Sequence, residues 1–261
     1  MSSKIIFFDI DGTILSHRNF RILDSTKAAI KQARENGHLT FINTGRTFSE
    51  IEDEIKDVGF DGYVCGCGTY IYLNSSVLFK TSIDRATRQM LIKDLRKYKL
   101  EAVLEGNSAI YFDSKLRNVK LKSVHDMFKR RNFNVLNWDD PNIKFEKFCL
   151  WLDTSESHLP FYNKYDSTFD FIKRDEPFLE VVPKGYSKAT GIEYLLSHLN
   201  IPHENAYALG DSANDFSMLS YVKHSIGMGN SEDEIKNLVS YITKDVDEDG
   251  VAHALKHFNI I

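Results

Sequence analysis

Four apolar residues follow one another over Lys4–Phe8, a run too short for a helix and dense enough for a strand buried on both faces. A helical pattern over Ser25–Glu35 comes next, with Ser25 as the expected N-cap and Gly37 as the stop. Leu39–Asn43 reads as a second strand, Phe48–Lys56 as a charged helix and Gly62–Cys65 as a third strand. Tyr70–Leu73 and Val77–Lys80 form a hairpin around Asn74-Ser75-Ser76. Strands separated by helices of this length imply parallel βαβ units with right-handed crossovers.

The middle of the chain has a different texture. A charged helix over Asp84–Lys97 precedes short strands near Ala102–Leu104 and Ile110–Phe112. Phe145–Leu152, a helix from about Ser155, and strands at Thr168–Ile172 and Phe178–Val182 follow. Pro183-Lys184-Gly185 punctuates the end of this stretch. The α/β rhythm then resumes: helix Lys188–Leu199, strand Ala206–Leu209, short helix Phe216–Leu219, strand Ser225–Gly227 and a final helix Val251–Phe258. The pattern predicts an α/β fold, a Rossmann-like parallel-sheet core built from residues 1–82 and 184–261. An inserted α+β module occupies residues 83–183, with hinges near Thr81–Asp84 and Val182–Gly185.

At 261 residues the chain has room for one or two domains. A net charge of −4 argues against a dedicated nucleic-acid binder, and no run approaches the ~18 apolar residues that span a bilayer. The first apolar run is cut short by Asp9, which excludes a signal peptide. Three cysteines suit free thiols, with Cys65 and Cys67 expected on one strand face. A cytoplasmic monomer is expected.

The chemistry gathers where strands end. Asp9 and Asp11 close the first strand, and Gly12 turns the chain away, so both acids sit at the carboxyl edge where open α/β sheets bind ligands. Two carboxylates this close repel unless a cation or a shared proton lies between them, which calls for a metal, a nucleophile, or both; turn-capping acids are the bland alternative. Asn43-Thr44-Gly45-Arg46 ends the second strand and suits an anion or, through Thr44, a simple helix N-cap; Arg46 suits a substrate phosphate or the local acids. Lys188 opens a helix as a solvated side chain or a cation for phosphate. Gly210-Asp211-Ser212-Ala213-Asn214-Asp215 again ends an apolar strand in acids, and any helical turn brings Asp211 and Asp215 together. Hard carboxylate oxygens without a His/Cys cluster favour Mg²⁺.

In that order, Asp9-x-Asp11-Gly-Thr, Thr44-Gly-Arg46, Lys188 and Gly-Asp211-x-x-Asn214-Asp215 resemble the haloacid dehalogenase-like superfamily. The insertion point and a cap of about 100 residues resemble its Cof-type sugar-phosphatase subfamily, with an α/β (type IIB-like) cap. The resemblance implies a Mg²⁺-dependent phosphatase of small phosphorylated metabolites, sugar phosphates first. It implies Asp9 as the nucleophile that forms an aspartyl-phosphate and Asp11 as the acid/base. Thr44, Lys188, Asn214 and the amides of Ile10 and Gly45 would bind phosphate. Asp9, the Asp11 carbonyl and Asp211 would ligate the metal, with Asp215 behind them. A phosphosugar mutase and a catalytically idle binding protein are the rival readings. One departure stands out: the family's usual Asn-Gly-Ala is Cys67-Gly68-Thr69 here. Glu180 is expected to order the hinge. Glu105, Asn107, Tyr111 and Lys115 are cap positions expected as surface polar residues that could face a substrate.

Overall fold

The computed structural model describes residues 3–152, 158–173 and 178–261. The chain divides into two units. Residues 1–45, 51–79 and 186–261 form the first, and residues 46–50 and 80–185 the second.

The first unit is built on an eight-stranded sheet. Its strands are β1 (Ile5–Phe8), β2 (Leu39–Asn43), β3 (Gly62–Cys65), β4 (Tyr70–Leu73), β5 (Ser76–Lys80), β12 (Ala206–Gly210), β13 (His224–Gly227) and β14 (Tyr241–Ile242). They lie in the order β14-β13-β12-β1-β2-β3-β4-β5. The six strands from β14 to β3 run parallel, and β4 turns back antiparallel on β3. Parallel neighbours need crossovers, supplied here by α1 (Asp24–Glu35), α2 (Asp53–Lys56), α6 (Lys188–Leu199), α7 (Phe216–Tyr221) and α8 (Asp233–Leu238), with α9 (Gly250–His257) closing the chain. Strand alternation gives β1 two apolar faces. Ile5 and Phe7 pack with Ile192, Leu195, Met218 and Ile235 from α6, α7 and α8. On the other side of the alternation, Phe8 meets the Phe60 ring at 5.9 Å.

The central strands β12 and β1 pair in register from Ile5↔Ala206 to Phe8↔Leu209, so Asp9 and Asp211 emerge at one edge. The ladder continues one step further, with Asp9 N donating to Leu209 O at 3.0 Å.

The second unit holds α3 (Arg85–Lys97), β6 (Glu101–Glu105), β7 (Ile110–Phe112), α4 (Val119–Arg130), β8 (Val135–Asn137), β9 (Lys147–Trp151), α5 (Leu159–Tyr165), β10 (Phe169–Lys173) and β11 (Phe178–Pro183). Its six strands form a sheet ordered β10-β11-β9-β6-β7-β8, antiparallel except for β7 with β8. One face carries Ala102, Leu104, Phe148 and Leu150 against Leu91 and Leu95 of α3 and Phe161 of α5. The other face is charged in part. Lys147 Nζ lies 2.6 Å from Glu105 Oε2 and 2.8 Å from Glu180 Oε1, all three buried. Glu50 joins this unit, and burial, then the charge of Glu105, pushes its carboxyl up to about 7.

Several local expectations change. Ser25 does not cap α1, whose cap is Leu23; the Ser25 hydroxyl instead donates to Asp249 Oδ1. The predicted helix over Phe48–Lys56 breaks into a 3₁₀ turn at Phe48–Glu50 and α2, because Glu52 takes an extended conformation. Glu50 then accepts from Thr47 N and Oγ1, both at 2.7 Å. The sequence pattern predicts neither α4 nor α8, whose many charged residues resemble surface loop. The helix expected from about Ser155 begins outside the described residues; within them α5 starts at Leu159.

Helix α6 sits close to β3 through Gly191, where an added Cβ would lie 2.4 Å from Val64 Cγ1. Ala is the better helix former by about 1 kcal/mol, but overpacking against a buried β-branched side chain costs about 1–3 kcal/mol. Gly191→Ala is therefore expected to lower the denaturant midpoint of unfolding; a raised midpoint would contradict this packing.

Candidate active site

Three of the four signals converge in the first unit: Asp9, Lys188 and the Asp211–Asp215 turn. Asp9 follows β1 directly. Beyond it the chain coils tightly, with the amides of Thr13, Ile14 and Leu15 all donating to Ile10 O. Gly12 takes φ +80, and a side chain there would strike the Asp211 carboxylate, 2.3 Å from its Oδ2. Asn230 Nδ2 fixes this loop through Gly12 O at 2.8 Å.

Lys188 is the first residue of α6, held there by a capping box between Ser187 and Thr190. Its ammonium is 2.6 Å from Asp9 Oδ1 and 2.6 Å from Asp215 Oδ1, and all three side chains are buried. Asp215 turns its second oxygen to the amides of Asp211 at 2.9 Å and Ser212 at 3.2 Å. Thr13 Oγ1 donates to Asp211 Oδ1 at 3.1 Å. A 3₁₀ turn over Ala213–Asp215 makes this possible by folding Asp215 back over the end of β12.

Carboxylate oxygens of Asp9, Asp211 and Asp215 fall within 4.8 Å of one another. Three carboxylates against one ammonium leave two negative charges, the complement of one divalent cation. The electrostatics show the crowding. Burial first, and then the charge of Asp215, raises Asp9 to about 7 despite Lys188. Burial, then Asp9 and Asp215, raises Asp211 to about 8. Burial opposes the charge on Lys188, yet Asp215 and Asp9 outweigh it and hold the ammonium above its ordinary range. The donor set is all oxygen and suits a hard cation. Asp9 and Asp211 are the side chains placed to hold it, since both Asp215 oxygens are engaged.

Thr44 is buried just past β2, its amide bonded to Val64 O at 2.9 Å. Gly45 ends the first unit's segment, and Arg46 falls with the second unit, where its Nη1 approaches Glu50 O at 3.4 Å. Asn214 is half-buried, and its Oδ1 accepts from the Ser212 hydroxyl at 2.7 Å. Asp11 is half-buried beside the cluster's loop. Cys67 is not on a strand face with Cys65: it lies beyond β3 in a turn with φ +55, and both cysteines are buried and outside any disulfide. Gly68, at φ +87, lets that turn approach Ser187 O, 2.4 Å from where a Cβ would stand.

Residues that the motifs include without a role, or do not include, also contribute. Thr13, Asn230 and Asn43 anchor the acids, the loop and α6 respectively. Thr13 stands in the first motif and Asn43 at the end of the second strand; Asn230 has no such mark in the sequence. In the second unit, Glu180 and Glu105 are bound to Lys147 rather than exposed. Tyr111 is buried as well, its hydroxyl accepting from Lys144 N at 3.3 Å. Asn107 is half-buried and Lys115 exposed.

This geometry agrees with the comparisons. The family model of the haloacid dehalogenase-like hydrolases matches residues 6–255. Among relatives, YkrA of Bacillus subtilis (strain 168), whose name gives it provisionally as a phosphatase, is 28% identical over 100% of both chains. A second protein of that strain, 5-amino-6-(5-phospho-D-ribitylamino)uracil phosphatase YcsE, is 25% identical over 98% of this chain and 95% of its own. The solved structure of the subclass IIB sugar phosphatase BT4131 superposes with a TM-score of 0.84, at 28% identity over 99% of this chain and 100% of that one. The chain belongs to the haloacid dehalogenase-like hydrolases, with the α/β core and cap of that fold. It is a phosphatase of that family. No described helix is long and apolar enough to cross a membrane.

The raised carboxyls have a consequence for stability. Their folded pKa values lie above the ordinary 3.8, so the folded chain keeps protons that the unfolded chain gives up. This contribution is neutral below about pH 4 and grows more destabilising as pH rises through 7 and 8. In chelator, the melting temperature is expected to be higher at pH 5.5 than at pH 8; the reverse order would refute this account of Asp9 and Asp211.

Proposed function

We propose that the chain hydrolyses small phosphorylated metabolites, sugar phosphates first, by phosphoryl transfer to Asp9 with Mg²⁺ at the Asp9–Asp211 pair. The observation that carries this reading is Lys188, buried between Asp9 and Asp215 with Asp211 beside them, three carboxylates against one ammonium. In that arrangement the Asp9 Oδ not bonded to Lys188 is the nucleophile. It attacks phosphorus as the ester oxygen leaves, and Asp11 gives that oxygen its proton. Asp11 then takes a proton from water as the water attacks phosphorus, which releases inorganic phosphate and restores the Asp9 carboxylate.

Asp9, Asp211 and the Asp11 carbonyl are the atoms assigned to Mg²⁺. When bound, the ion supplies positive charge for the phosphoryl oxygens and relieves the repulsion within the cluster. Lys188 and the Thr44 hydroxyl are assigned to the phosphoryl oxygens, with Asn214 and the amides of Ile10 and Gly45 beside them, and Arg46 to the substrate. Asp215 keeps Lys188 charged and in place. Most of the work is positioning and neutralising charge, which is what phosphoryl transfer asks of a protein. The sugar phosphatase BT4131 and the ribityl-phosphate phosphatase YcsE support a polyhydroxylated substrate. Residues 80–185 are assigned the role of cap, with the chain entering it at Lys80 and leaving it at Gly185.

An aryl phosphate and a panel of sugar phosphates test the reading. Turnover is expected to vanish in chelator, return with Mg²⁺ and fall at least about 10³-fold in Asp9→Asn. Retained turnover in that variant would overturn the nucleophile.

A further inference from the structure

Asn43 is the last residue of β2, wholly buried, and immediately precedes Thr44. A buried amide is costly unless it is hydrogen-bonded, and the two residues before it, Phe41 and Ile42, are apolar. Its Nδ2 donates to the carbonyl oxygen of Lys188 at 3.0 Å. The amide orientation is fixed by chemistry, because the flipped form would set two acceptor oxygens against each other.

That carbonyl belongs to the first residue of α6, where it also accepts the ordinary helical bond from four residues on. The Asn43 bond is therefore additional to the helix. It is not needed to satisfy the carbonyl. What it adds is registry: the backbone that carries Lys188 is pinned to the strand end that carries Thr44. Lys188 reaches two carboxylates at 2.6 Å, so its backbone has little freedom to drift without losing one of them.

We infer that Asn43 is a positioning residue that fixes the Lys188 ammonium relative to Thr44, so that the two converge on one phosphoryl group. The inference rests on the phosphate roles proposed above for Lys188 and Thr44. Displacements of about 1 Å in a positioning group cost on the order of 10²-fold in rate.

A double-mutant cycle with an activated aryl phosphate tests it. Asn43→Ala is expected to lower kcat/KM at least about tenfold while its melting temperature stays within about 5 °C of wild type. In a Lys188→Ala background the same substitution is expected to cost less than about twofold, because the group it positions is gone. Asn43→Asp, of the same shape but facing the carbonyl with an acceptor, should lose at least as much as Asn43→Ala. Asn43→Ser, with a short hydroxyl donor, serves if Asn43→Ala does not fold. A loss under twofold in the wild-type background overturns the inference. So does an equal loss with and without Lys188, which would mark a general structural role. Loss of turnover in Asp9→Asn with full turnover in Asn43→Ala would sink this inference alone. A wild-type protein that turns over no phosphate ester under Mg²⁺ would remove the reading beneath it as well.

Discussion

The first unit is organised around one ammonium between two carboxylates. Lys188 is buried, and an isolated charge at such a site would be prohibitive. Asp9 and Asp215 make it tolerable, each at 2.6 Å, and Asp215 is in turn held by two backbone amides. Each partner comes from a different strand–helix junction: Asp9 after β1, Lys188 at the start of α6, Asp215 after β12. Removing Lys188 would leave Asp9 and Asp215 as uncompensated buried charge. The sheet register, the helix cap and the 3₁₀ turn are therefore tied to a single electrostatic arrangement.

That arrangement is deliberately incomplete in charge. Asp9 and Asp211 are raised far above the ordinary carboxylate range, first by burial and then by one another and Asp215. Crowding of this kind destabilises the protein, and strain of this sort collects at functional sites. Close approach of the backbone permits it. Gly12 leaves room for the Asp211 carboxylate, and Gly68 leaves room for the Ser187 carbonyl ahead of Lys188. The turn at Cys67-Gly68-Thr69 thus holds the glycine that the α6 approach requires.

The second unit shows the same physics with a different outcome. Lys147 is buried between Glu105 and Glu180, with Glu50 nearby in the same unit. Glu50 arrives on a five-residue segment, 46–50, that leaves the first unit immediately after Gly45. The hydrogen bonds of Ser49 to Gly106 O and of Phe48 N to Asn107 Oδ1 tie that segment to the turn between β6 and β7. A charged run that resembles a plain helix in sequence is thus a short excursion between units.

Much of the first unit was legible because local rules dominate there. Apolar runs such as Ile5–Phe8 and Ala206–Leu209 end in acids, and strand ends in a parallel sheet are also where ligands gather. The motif residues Asp9, Thr44, Lys188, Asp211 and Asp215 could be named from order and spacing alone. Their division of labour could not. Spacing cannot show that Asp215 spends both oxygens on Lys188 and two amides while Asp211 keeps one toward the cluster, nor that Asn43 reaches the Lys188 carbonyl 145 residues away. Nor does it reveal Lys147 among the acids of the second sheet. Chain order and periodicity fixed which residues end which strands; only tertiary structure decided which charges meet, because burial and long-range approach set the energy of each charge.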